Sequence, residues 1–146
     1  MPGVRCIHGG SSFRIILVMT YSNVLLIDDD EDDQEIFLIA LRDVASTIRL
    51  TAVGSARDAL ELLDSRELTA DVIFLDLNMP VMTGQQFLEE LQKRSLPNPI
   101  PIFILSTSSD AATVSLVRQL GVRQFITKPD NIADLKKILH DILNQS

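Results

Sequence analysis

Residues 23–35 read NVLLIDDDEDDQE. An apolar run, Val24 to Ile27, passes without a spacer into seven acids and no base between Asp28 and Glu35. Four apolar residues suit a strand covered on both faces, as in a parallel sheet. Like charges in a block are ordinarily a solvated segment. A block seated directly on the end of a buried strand needs something to neutralise it.

The pattern repeats outward along the chain. Further strands are predicted at Arg49 to Val53, Val72 to Leu75, Ile102 to Leu105 and Gln124 to Ile126. Between them the apolar spacing becomes helical. Asp32 to Asp43 places Ile36, Ile39 and Ala40 on one face, and Ala56 to Asp64 places Ala59, Leu60 and Leu63 together. Gly84 to Lys93 carries Phe87, Leu88 and Leu91, Ala111 to Leu120 carries Val114, Val117 and Leu120, and Ile132 to Leu143 repeats Ile132, Leu135, Leu139 and Ile142. Asn131 or Asp130 is placed to cap the last helix. Strands joined by helices are parallel strands with crossover connections, so the expected fold is α/β, a doubly wound sheet of five strands with five helices. Ligands of such sheets bind beyond the carboxyl ends of the strands.

Composition narrows the class. The chain has 146 residues, a formal charge of −7, 46% hydrophobic and 23% charged residues, which fits a globular core and excludes a disordered or fibrous chain. Acidity argues against nucleic acid, which needs clustered Lys and Arg. One cysteine, Cys6, excludes an internal disulfide and a multi-cysteine metal site. No apolar run is long enough to cross a bilayer. The amino terminus has a short apolar stretch from Ile15 to Met19, below the roughly seven to fifteen residues of a signal core. Residues 1–22 are therefore expected to be an extension, disordered or preceding a true start at Met19, and residues 23–146 the folded domain.

Chemistry collects at the strand ends. Strand one ends at Asp28-Asp29-Asp30, strand three at Asp76, strand four at Ser106 and Thr107, and strand five at Lys128 before Pro129. Crowded carboxylates are tolerated when a cation neutralises them. Oxygen ligands without His or Cys favour a hard ion, Mg²⁺, whose open positions accept phosphoryl oxygens. Lys128 and Ser106 suit the same group, and Asp76, alone at its strand end, suits a nucleophile that becomes an aspartyl phosphate. The bland readings differ residue by residue. Asp30 to Asp33 are best explained as first-turn acids complementing a helix dipole, and Asn78 as a turn residue before Pro80. Ser106 and Lys128 would each be unremarkable singly. His8, His140, Met79 and Met82 carry no functional signal.

With Asp28-Asp29 after VLLI, DLNMPVMTG around Asp76, Ser106-Thr107 after IFIL and Lys128-Pro129 after FIT, the chain resembles the response-regulator receiver domain of two-component signalling over about Asn23 to Leu143, the single-domain type that serves chemotaxis. The resemblance implies a flavodoxin-like (βα)5 fold, Asp76 as phosphoacceptor, and Mg²⁺ or Mn²⁺ on Asp28, Asp29, Asp76 and the main-chain carbonyl of Asn78, Asp28 acting through a bound water. It implies Ser106 as switch hydroxyl, Lys128 as the amine on the phosphoryl group, and Phe125 at the aromatic switch position, where the family often has Tyr. Gly84 matches the glycine opening helix three, and Pro80 the proline shaping the loop after the acceptor. The implied phosphodonor is a histidine kinase or histidine phosphotransfer protein. The implied output is a downstream protein bound through helix four, strand five and helix five, with no nucleic acid and no membrane insertion. A cytoplasmic, bacterial, non-enzymatic protein follows from the same resemblance, as does an output that leaves through a partner, because little chain follows helix five. A phosphorelay intermediate or phosphate sink is the alternative within the family. Outside it stands a haloacid-dehalogenase-like phosphatase, but there the nucleophile comes on the first strand within Asp-x-Asp, and here Asn78 stands two residues after Asp76.

Overall fold

A computed structural model describes residues 5–9, 12–16, 21–94, 99–107 and 110–144. Its centre is one parallel sheet. The strands are β1 (Asn23–Ile27), β2 (Arg49–Val53), β3 (Val72–Leu75), β4 (Ile102–Ser106) and β5 (Gln124–Thr127), in the order β2-β1-β3-β4-β5. The helices are α1 (Glu31–Val44), α2 (Ala56–Asp64), α3 (Gly84–Gln92), α4 (Ala111–Gln119) and α5 (Ile132–Leu143). This is the flavodoxin-like order, whose switch point lies between β1 and β3.

The apolar runs work because both faces of the central strands are covered. Side chains alternate across a strand, so Leu25, Ile27, Ile73 and Leu75 join Phe87, Leu88 and Val117 in one core. Val24, Leu26, Val72 and Phe74 join Phe37, Leu41, Phe103 and Leu139 in the other. The edge strands β2 and β5 keep exposed positions and read less apolar.

On α1 the buried face differs from the expected Ile36, Ile39 and Ala40. Ile36 and Ile39 are 42% and 48% exposed, and the buried stripe is Phe37, Ala40 and Leu41. Residues 36–41 are all apolar, so periodicity cannot choose the face. The choice is made by Phe37, whose ring meets Phe74 edge-on at 5.1 Å between centroids. Within the stretch 1–22, Arg5–Gly9 and Ser12–Ile16 pair antiparallel as a two-stranded ribbon, which the sequence reading did not include.

Helix starts are set locally, and they place the site. Asp30, Ser55, Thr83, Asp110 and Asn131 each accept an amide N–H of the first turn they precede. Thr83 also forms a reciprocal capping box with Gln86.

Candidate functional site

Each strand-end residue is aimed by the ladder it has just left. The Asp28 N–H donates to the Val53 carbonyl at 3.0 Å and the Asp76 N–H to the Ile27 carbonyl at 3.0 Å, so both acids continue the sheet's hydrogen bonding one residue beyond their strands. The Lys128 N–H does the same to the Ser106 carbonyl at 2.9 Å. Asp28, Asp76 and Ser106 are the buried polar side chains among the described residues, 2%, 7% and 0% exposed.

The Lys128 ammonium is the hub. Its Nζ lies 2.8 Å from Asp28 Oδ2, 2.7 Å from Asp33 Oδ2 and 3.2 Å from Asp76 Oδ2. Burial alone would depress this amine, but the hydrogen bonds to Asp28 and Asp33 and the charges of Asp28 and Asp76 outweigh it and hold it above the usual lysine range. Burial pushes the Asp28 carboxyl up, against the Lys128 hydrogen bond and the Asp30 N–H donated to Oδ1 at 2.9 Å. Asp76 Oδ1 accepts the Asn78 N–H at 3.1 Å, and the Asn78 amide group reaches Ser106 Oγ at 3.5 Å.

Asp29 is exposed on the rim. Carboxylate oxygens of Asp28, Asp29 and Asp76 nevertheless come within 4.8 Å of one another. Three carboxylates from two strand ends fit a hard divalent cation that keeps several waters, and the set contains no His or Cys to favour zinc or copper.

The loop after Asp76 is closely fitted to α3. A Cβ on Gly84 would stand 2.7 Å from the Asp76 carbonyl oxygen and 2.8 Å from Leu77 Cα, so only glycine allows this approach. The Gly84 N–H donates to the Leu77 carbonyl at 3.1 Å. In the same loop Val81, 87% exposed, takes a left-handed φ of 69°, rare for a β-branched residue.

Of the residues singled out in the sequence, Asp28, Asp29, Asp76, Asn78, Ser106 and Lys128 come together. Phe125 stands apart on β5, half-buried against the core of α2, α3 and α4. Asp30 takes the capping role read for it, accepting from the Asp32 and Asp33 amides at 2.9 and 3.2 Å. Two contacts escaped sequence reasoning. Asp33 reaches Lys128, and Gln34 Nε2 donates to the Asp28 carbonyl at 2.6 Å. The only signal was position: the first turn of α1 folds back over the strand end. His140 is exposed, 3.8 Å from Asp141, and the side chain of His8 lies outside the described residues.

Comparison with known proteins meets this geometry. The family described as the response regulator receiver domain matches residues 24–140. The rice (Oryza sativa) two-component response regulator ORR11 is 33% identical over 121 residues, 83% of this chain and 80% of the relative. The chain spans about half, 53%, of the rice regulator ORR1. The phosphorylated cyanobacterial phytochrome response regulator RcpA superposes with a TM-score of 0.76 at 26% identity, covering 84% of this chain and 91% of its own. The Mn²⁺-bound response regulator Rcp1 gives 0.71 at 26%, covering 83% and 91%. The match over residues 24–140 and the rice relative show the family: this chain belongs to the response-regulator receiver domains of two-component signalling. Relatives come from rice as well as cyanobacteria, so a bacterial source is not supported. Among the described residues no helix is long and apolar enough to cross a membrane.

Proposed function

We propose that this receiver domain takes a phosphoryl group from a phosphohistidine, on a histidine kinase or histidine phosphotransfer protein, onto Asp76. In this reading an Asp76 carboxylate oxygen attacks phosphorus, the phosphorus–nitrogen bond breaks, and the donor imidazole leaves with the bond's electron pair. Asp28, Asp29, Asp76 and the main-chain carbonyl of Asn78 would hold Mg²⁺ or Mn²⁺. The ion supplies charge neutralisation for the phosphoryl oxygens. Lys128 holds a positive charge beside the acceptor, and Ser106 offers a hydroxyl to the same oxygens. The domain is then the substrate of its own chemistry, not a turnover enzyme. Output is carried by Ser106 moving toward the phosphoryl group and Phe125 repacking, which reshapes α4, β5 and α5 for a partner protein. Phe125 has no hydroxyl, so ring packing alone reports the change.

One observation carries the reading: carboxylates from β1 and β3 and the amine after β5 meet at the carboxyl edge of the sheet. Incubation with acetyl phosphate and Mg²⁺, followed by intact mass, tests it. A labile phosphoryl adduct absent from Asp76→Asn is expected. Multiple-turnover hydrolysis of phosphate monoesters without such an adduct overturns it in favour of a phosphatase.

A further inference from the structure

We infer that Asp33 is a positioning residue for the Lys128 amine, an inference that rests on Asp76 being the phosphoryl acceptor. A lysine ammonium has three N–H donors and no acceptor. Here three carboxylates surround it, one each from the β1 end, the first turn of α1 and the β3 end, at 2.8, 2.7 and 3.2 Å. The two shorter contacts go to Asp28 and Asp33, neither of which reacts. The longer one goes to the acceptor. Lys128 is therefore anchored on two carboxylates that do not accept the phosphoryl group, with its third donor facing Asp76.

That division matters during transfer. An incoming phosphoryl group takes an Asp76 oxygen, and the third donor turns to the phosphoryl oxygens while the other two contacts persist. The positive charge stays where charge develops, without a search by a flexible four-carbon stem. Asp33 is itself held: its amide donates to Asp30 Oδ1 at 3.2 Å, so the capped turn delivers the carboxylate. Without it, Asp28 alone anchors the amine against a swing away from the acceptor.

The test compares Asp33→Asn with Asp32→Asn in the full chain. Asp32 lies in the same helical turn, where a side chain affects the dipole equally, but it is exposed, and the ion pairs of Lys128 go to Asp28, Asp33 and Asp76 instead. Without any phosphodonor, ¹⁵N NMR of lysine ammonium groups, assigned by loss of the signal in Lys128→Arg, reads whether the amine is held. A Lys128 signal is expected in wild type and Asp32→Asn and lost in Asp33→Asn. With acetyl phosphate and Mg²⁺, the maximal phosphorylation rate of Asp33→Asn is expected to fall about tenfold, with the half-saturating concentration moved less than about twofold. An unchanged ammonium signal in Asp33→Asn, or equal rate losses in both variants, overturns the inference. A wild type that takes no phosphoryl group overturns the function proposed above, while the ammonium signal still decides where Lys128 is held.

Discussion

Gly84 and the backbone of Asp76 are in such close approach that a Cβ on residue 84 would stand 2.7 Å from the Asp76 carbonyl oxygen. The obstacle is main chain, which cannot rotate away as a side chain end does. Gly84→Ala must therefore push α3 off the loop that follows Asp76. The expected cost is about 1–3 kcal/mol in denaturant unfolding, the usual range for overpacking. A variant as stable as wild type would show that the approach is looser in solution.

Asp29 and Asp32 are both exposed acids of the same block, but only Asp29 places an oxygen among those of Asp28 and Asp76. Asp29→Asn should weaken Mg²⁺ binding about tenfold or more, as loss of metal-site groups does. Asp32→Asn should change it by about twofold or less, through screened charge alone. Titration calorimetry checks this, and equal effects would mean that the block acts only as diffuse charge.

Lys128 gives the pH dependence. Its folded pKa lies above the ordinary value, so between the two values the folded chain binds a proton that the unfolded chain has lost. Stability from this group is complete below the unfolded pKa of about 10.4 and falls as pH rises through the folded value. Wild type should lose stability faster than Lys128→Gln above about pH 10. Parallel curves would contradict the pairing.

Val81 is exposed at a φ of 69°, where a non-glycine residue costs about 1–2 kcal/mol. Val81→Gly relieves that strain, and its greater unfolded-state freedom returns about 0.5–1 kcal/mol. The side chain buries nothing that would be lost. The net expectation is a gain of about 0.5–1 kcal/mol, read as a higher denaturation midpoint; a lower midpoint would place Val81 in a contact not seen here.

How much the sequence told depends on how each signal is encoded. β1 and β3 were legible because strands covered on both faces must be apolar at every position, and their ends follow at once. Asp28, Asp76 and Ser106 were legible as strand-end residues for the same reason, and Lys128 from the shorter Phe125-Ile126 stretch of the edge strand β5. The buried face of α1 was not, since residues 36–41 are uniformly apolar and the ring contact of Phe37 with Phe74 decides it. Asp33 looked like any first-turn acid. Its partner is 95 residues away, and local periodicity carries no information about that distance. The Arg5–Gly9 and Ser12–Ile16 ribbon lacks the unbroken apolar run that marked β1, β3 and β4.

Lys128 has a further consequence for how this chain is made. Its contacts to Asp76, Asp33 and Asp28 span 52, 95 and 100 residues, always with the acid first. On the ribosome the carboxylates emerge before their counterion exists. Until β5 docks on the sheet edge, ions from solution are what balances them, so the last strand to be synthesised both closes the sheet and discharges its mouth. Repulsion among the acids then opposes the approach of β1 to β3 until the lysine is in place.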